Sequence, residues 1–158
     1  MDALDLLEHH HRLLEKLFTA LKDGAETTPG AFEDAADLLV THMTLEEQQF
    51  YPAVDARRAK DVLLSSLEEH LSLKRVLADL LELPPGDERF APKLHVLAEQ
   101  LEHHHDEEED HLFPEVRKLL DAGERVELGI RMLALAERLG PAPRRRVLAQ
   151  TDEAAPLP

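Results

Sequence analysis

The chain has 158 residues, 33 of them acidic and 18 basic, for a net charge of −15. That length suits one domain with a real core, and the charge repels phosphate backbones and anionic lipid, so neither nucleic acid nor a membrane is an expected partner. There is no cysteine, which excludes disulfides, thiolate chemistry and cysteine-bound zinc or iron–sulfur clusters. The acidic opening MDALDLLEHH lacks a basic segment followed by an apolar one, and no apolar run approaches membrane-spanning length, so a cytoplasmic location is expected. Ten histidines stand out, and the low aromatic content of 4% leaves leucine to build a helical core.

Turn signals fall at 23–30 (DGAETTPG), at Pro52, at 83–92 (LPPGDERFAP) and at 121–123 (DAG). In the first segment between them, Leu4, Leu7, His11, Leu14, Phe18 and Leu21 recur at three and four, and so line one helix face. The second segment offers Ala35, Leu38, His42, Leu45 and Phe50, and the third Leu63, Leu67, His70, Leu77 and Leu81. The fourth offers Leu94, Leu97, Leu101, His104, Glu108 and Leu112. Pro52 and Pro114 are expected to end or kink the second and fourth helices. A fifth helix is expected over 124–139, with Val126, Ile130, Leu133 and Ala134 on one face. The fold class is therefore all-α: an antiparallel up-down four-helix bundle over 1–122 with an accessory C-terminal helix over 123–140. Residues 141–158, rich in proline and polar groups, are expected to form a disordered tail.

Each of the four bundle helices carries a histidine in its apolar stripe. His42 with Glu46, and His104 with Glu108, are four apart, rotated by only about 40° and separated by about 6 Å of rise, so both members of a pair can reach one point beside the helix. His11 and His70 add one imidazole each. Six inward ligands are too many for one tetrahedral zinc but divide well between two ions, each with two histidines, bridged by the two carboxylates and an oxo or hydroxo group. This leaves a coordination place for a small molecule. Imidazole plus carboxylate suits iron, manganese or zinc, and a dinuclear site in a bundle core favours iron. The order of the motifs makes the bundle read as two copies of one hairpin.

Taken singly, each of these residues has a blander reading: a core histidine with a satisfied hydrogen bond, or a solvated acidic face. Glu47 and Glu109 read first as solvated, with support of a ligand as the alternative. His9, His10, His103, His105 and His111 read as exposed or outer, although His10 and His105 lie one position from chosen ligands and could replace them. A ferritin-like site needs Glu-x-x-His motifs plus an acid from each remaining helix. Glu8/His11, Glu102/His105 and Glu108/His111 fit that spacing, but the third helix has only His70 on its stripe.

The combined pattern H…H-x-x-x-E…H…H-x-x-x-E, closed by FYP at 50–52 and LFP at 112–114, resembles the hemerythrin-like HHE cation-binding domain over about residues 1–120. The resemblance implies a non-haem di-iron site with His11, His42, His70 and His104 as terminal ligands and Glu46 and Glu108 as bridges. Oxygen-carrying members have a second histidine one turn after the third-helix ligand, where this chain has Lys74. Their last acidic ligand is an Asp one residue further on. These departures speak against reversible oxygen carriage. The resemblance points instead to a protein, monomeric or homodimeric, that binds and reacts with peroxide, O2 or NO, with catalase- or peroxidase-like or NO-directed activity. An iron- or oxygen-sensing or iron-storage module without turnover is the alternative. Tyr51 and Lys74 are the candidate near-site catalytic groups. Tyr51 could donate to a bound oxidant or plug the helix end, and Lys74 could hydrogen-bond a bound ligand or pack its stem and turn outward.

Overall fold

The computed structural model describes residues 1–55 and 60–143, and every regular element among them is helical. Helix α1 (Ala3–Lys22) begins at a capping box in which the Asp2 side chain accepts from the backbone of Asp5 while Asp5 answers the Asp2 N–H. Helix α2 (Ala31–Leu45) follows Gly30, whose φ of 87° needs a residue without a Cβ. Helix α4 (Lys60–Glu82) and helix α5 (Phe90–Glu107) form the second hairpin, and α7 (Ala122–Leu139) opens on another capping box from Asp121 and Glu124. In the bundle α1 packs on α2 and α5, and α4 on α5 and α2, which closes the four-helix square.

The two prolines neither end nor sharply break their helices. Five-residue π turns, Glu46–Phe50 and Glu108–Leu112, precede Tyr51 and Phe113, and helix resumes as α3 (Tyr51–Asp55) and α6 (Phe113–Leu119). In each, the N–H of the aromatic residue reaches back five positions, Tyr51 to the Glu46 carbonyl and Phe113 to the Glu108 carbonyl. A wider turn accommodates a proline that lacks a donor and crowds the preceding turn.

The apolar stripes of α1 and α5 bury as the periodicity predicts, with Leu4, Leu7, Leu14 and Phe18 on α1 and Leu94, Leu97, Leu101 and Leu112 on α5 and its π turn. The core falls into two clusters. One contains Leu4, Leu7, Leu45, Phe50, Tyr51, Leu63, Leu67 and Phe113, and the other Leu14, Phe18, Leu39, Met43, Leu73, Leu77 and Leu101. His11 falls between Leu7 and Leu14, and His70 between Leu67 and Leu73, so the polar layer is sealed on both sides by leucine and phenylalanine.

The accessory helix departs from expectation. Val126, Ile130, Leu133 and Ala134 are exposed, and α7 instead buries Leu128, Gly129, Met132 and Leu135. Gly129 explains the rotation, because a Cβ there would lie 2.7 Å from the Met1 carbonyl oxygen. The helix lies against the start of α1 on its glycine face, and no periodicity rule anticipates that. No helix among the described residues is long and apolar enough to cross a membrane. The tail expected to be disordered lies, from residue 144 on, outside the described residues.

Candidate metal centre

His11, His42, Glu46, His70, His104 and Glu108 converge in the middle of the bundle, each at most 1% exposed. Two groups of donor atoms form. His11, His42, Glu46 and Glu108 offer atoms that all lie within 4.8 Å of one another, and Glu46, His70 and His104 do the same. Glu46 belongs to both, so it is placed between the two positions. Its Oε1 lies 2.9 Å from His42 Nε2 and 3.3 Å from His70 Nε2. Glu108 Oε1 lies 3.4 Å from His11 Nε2 and 3.2 Å from His104 Nε2.

The outward nitrogens of the four imidazoles are engaged. His11 Nδ1 pairs with Glu109 Oε1 at 2.7 Å, His70 Nδ1 with Glu47 Oε1 at 3.1 Å, and His104 Nδ1 with Glu69 Oε2 at 3.1 Å, while His42 Nδ1 meets His10 Nδ1 at 3.4 Å. Such contacts fix ring orientation and tautomer and leave Nε2 facing the centre. The supports follow the internal repeat. Glu47, next to Glu46, reaches across to the other hairpin's His70, and Glu109, next to Glu108, reaches back to His11. His10 and Glu69, each one residue before the first histidine of its hairpin, support the second.

Inside, the picture reverses. His11 Nε2, His42 Nε2, Glu46 Oε1 and Glu108 Oε1 are buried and make no hydrogen bond. Buried polar atoms without partners are costly, and here they are the inward-facing atoms of the candidate ligands. The donor set fits metal cations.

Electrostatics carry the same signature. Burial would raise the Glu46 carboxyl, but His42, with hydrogen bonds from its other neighbours, holds it well below the usual carboxylate range. Burial and the neighbouring Glu46 charge push Glu108 well above that range. Burial disfavours the charged form of His70, yet its bonds to Glu46 and Glu47 raise it to about 9. Burial keeps His104 below its ordinary value. His70 is therefore the imidazole that carries positive charge beside Glu46, and its Nε2 lies 3.0 Å from His104 Nε2.

Tyr51 is fully buried, and its hydroxyl lies 2.9 Å from Glu108 Oε2, 3.2 Å from Glu46 Oε2 and 3.1 Å from His70 Nε2. The π turn makes this possible, since five residues along a regular helix would rotate Tyr51 roughly 140° away from Glu46. Burial, then the Glu108 and Glu46 charges, raise its pKa well above 10, which keeps the phenol protonated. Lys74 neither faces the centre nor turns outward. It is 3% exposed, and its ammonium binds both oxygens of Glu47 at 2.7 and 2.9 Å.

The sequence reading placed Glu47 and Glu109 first on a solvated face, with support of a ligand as the alternative, and His105 outside the centre or in place of a chosen ligand. Glu47 is buried rather than solvated, and Glu109, a quarter exposed, holds His11 and contacts Arg12. His105 is fully buried, not outer, and its ring stacks on His11 at 3.8 Å. Its register one residue past His104 was the available signal, but on one helix that neighbour points about 100° away, toward α1.

This fold and site define a helical-bundle protein with clusters of histidine and glutamate able to hold metal ions. The hemerythrin HHE cation-binding domain model matches residues 2–128, and the chain belongs to that family. Among solved structures, the fold is similar to that of an HHE cation-binding domain-containing protein from Mycobacterium kansasii, with a TM-score of 0.76 at 23% identity, over 99% of this chain and 95% of the other. No curated protein matches the sequence.

Proposed function

We propose that this protein holds two non-haem iron ions and reacts with a small oxidant, with peroxide the leading substrate and O2 and NO as further ligands. The observation that carries this reading is the set of buried imidazole and carboxylate atoms that lack partners while the opposite ring nitrogens are all held. His11, His42, His70 and His104 would hold the ions as terminal ligands, with Glu46 and Glu108 as the carboxylates between them. Bound there, a pair of iron ions would supply two-electron redox chemistry, enough for the disproportionation of two peroxides to water and O2.

The chain's own contributions are orientation, dryness and a proton. Glu47, Glu69, Glu109 and His10 hold the imidazoles in register. The layers led by Leu7, Leu14, Phe50 and Phe113 keep bulk water from the centre, which strengthens every charge interaction inside it. Tyr51, protonated and touching both bridging carboxylates, is the proton donor closest to the His70 and His104 position. Lys74 acts through Glu47 and touches no substrate.

The test is peroxide consumption by iron-loaded protein, compared with zinc-loaded protein and with a Tyr51→Phe variant of equal iron content. Turnover that requires iron and falls in the variant supports the proposal. Consumption no greater than that of free iron, at two irons per chain, overturns it. A second reading, iron-dependent stability that signals occupancy, is favoured by the same unpartnered atoms, since they tie the fold to the metal. It predicts strong stabilisation by iron without turnover.

A further inference from the structure

Helix α7 is apolar on two faces, and the bundle covers one of them. Leu128, Gly129, Met132 and Leu135 are buried, and three of these side chains join the cluster that holds Phe50 and Tyr51. Val126, Ile130 and Leu133, spaced by four and three, form a second stripe on the far side, 41%, 61% and 49% exposed. Ala134 extends the stripe, and the exposed Met1 borders it where its carbonyl approaches Gly129. Four of the eight exposed large apolar side chains among the described residues, Met1, Val126, Ile130 and Leu133, thus gather on one surface. A helix on the outside of a globular protein carries one apolar stripe, and a helix that is apolar on more of its circumference is covered there too.

The charges of α7 indicate what covers it. A net charge of −15 sets copies of this chain against one another, but α7 itself is neutral, with Glu124, Glu127 and Glu137 balanced by Arg125, Arg131 and Arg138. A rotation of about 100° per residue places the exposed Glu127 and Arg131 on the same flank of the stripe, roughly 60° and 100° round from Ile130. When two such helices cross antiparallel at Ile130 about a two-fold axis, equal flanks meet. Each Arg131 then stands within about 3 Å, measured along the axis, of the other copy's Glu127. Val126 comes level with the small Ala134 of the other copy. A parallel crossing would instead set that charged flank against the opposite one, which carries Ala122 and Ala136. The surface is therefore complementary to itself in one orientation, as an isologous contact requires, and that orientation also opposes the helix dipoles favourably.

We infer that the outer face of α7 docks a second copy of this chain, helix against antiparallel helix, with Val126, Ile130, Leu133 and Ala134 buried between them and two Glu127–Arg131 ion pairs along one rim. A stable interface buries on the order of 800 Å² per partner, more than one helix face supplies, so this dimer forms and dissociates with concentration. No candidate metal ligand lies on α7, and the inference stands independently of the metals and the oxidant.

Sedimentation equilibrium of the full chain, from about 1 to about 300 µM, tests this. Wild type is expected to pass from monomer towards dimer across that range. Ile130→Glu, at the centre of the contact, should weaken association at least about tenfold. Glu127→Arg and Arg131→Glu should each weaken it by roughly threefold to tenfold. The two single variants mixed together, and the doubly exchanged E127R/R131E chain, should recover it, because opposite charges again meet across the axis. Val96→Glu, at an exposed position on α5, should change nothing. Circular dichroism and metal content that match wild type show that each variant keeps its fold and its centre. A wild type that stays monomeric throughout would overturn the inference, and if ending the chain at Pro143 then released a dimer, the cover would be the chain's own C-terminal segment. A dimer that survives Ile130→Glu would also overturn it, and failure of the mixed charge variants to associate would overturn the antiparallel pairing.

Discussion

Removing the metal should cost this protein a large part of its stability. Six buried side-chain nitrogen and oxygen atoms among the described residues have no hydrogen-bond partner: one each on His11, His42, Glu46 and Glu108, and both ring nitrogens of His105. At about 1–3 kcal/mol for each unsatisfied buried group, the penalty is on the order of 6–18 kcal/mol, comparable with the roughly 5–15 kcal/mol that holds a typical domain together. Two ions, each present at about a thousand times its dissociation constant, return about 8 kcal/mol through binding to the folded state alone. For a chain of this size roughly 2–4 °C follows each kcal/mol, so loading should raise the melting temperature by about 15–30 °C. The assay is thermal unfolding by circular dichroism of chelator-treated protein against the same sample reloaded anaerobically with iron(II). Melting temperatures within about 3 °C of each other, with iron bound, would refute the reasoning.

Three further outcomes are expected. The metal-free protein should be most stable near neutral pH. Below about 6.5 the unfolded chain gains protons on His10, His11, His104 and His105 that the folded chain resists, so acid destabilises, although the raised Glu108 carboxyl works in the opposite sense. The stabilisation from His70, full below 6.5, is lost as pH rises through about 9, and a melting temperature that climbs steadily from pH 7 to 9 would contradict this. Glu47→Gln should strand the buried Lys74 ammonium and release His70, lowering metal-free stability by about 3–5 kcal/mol and metal affinity by about 10–100-fold, as read by denaturant unfolding and chelator competition. Gly129→Ala should cost about 1–3 kcal/mol through overpacking against the N-terminal backbone with metal stoichiometry unchanged, and an unaltered denaturation midpoint would show that α7 can shift at no cost.

Much of the bundle was legible because the information lay within single helices. Leu4, Leu7, Leu14 and Phe18 share a face by their spacing, and so do His42 with Glu46 and His104 with Glu108. A four-residue step is a local geometric fact that survives any packing arrangement. The acids and histidines beside these ligands were not legible in the same way. In sequence, Glu47 and Glu109 look like further members of an acidic face. They become supports for His70 and His11 only because each helix lies against the opposite hairpin.

The sequence by itself determined the helices, the two-hairpin repeat and the six inward-pointing donors, since periodicity and motif spacing are properties of the chain. Tertiary structure alone decided which carboxylate meets which imidazole, the engagement of Lys74 with Glu47, the burial of His105 and the face that α7 presents. The π turns belong to the same group: their prolines were visible, but a kink and a widened turn read alike until Tyr51 is seen returning to Glu46, Glu108 and His70. Each of these depends on distances between elements far apart in the chain, and those distances are set by how side chains fill the space between helices rather than by their order along one.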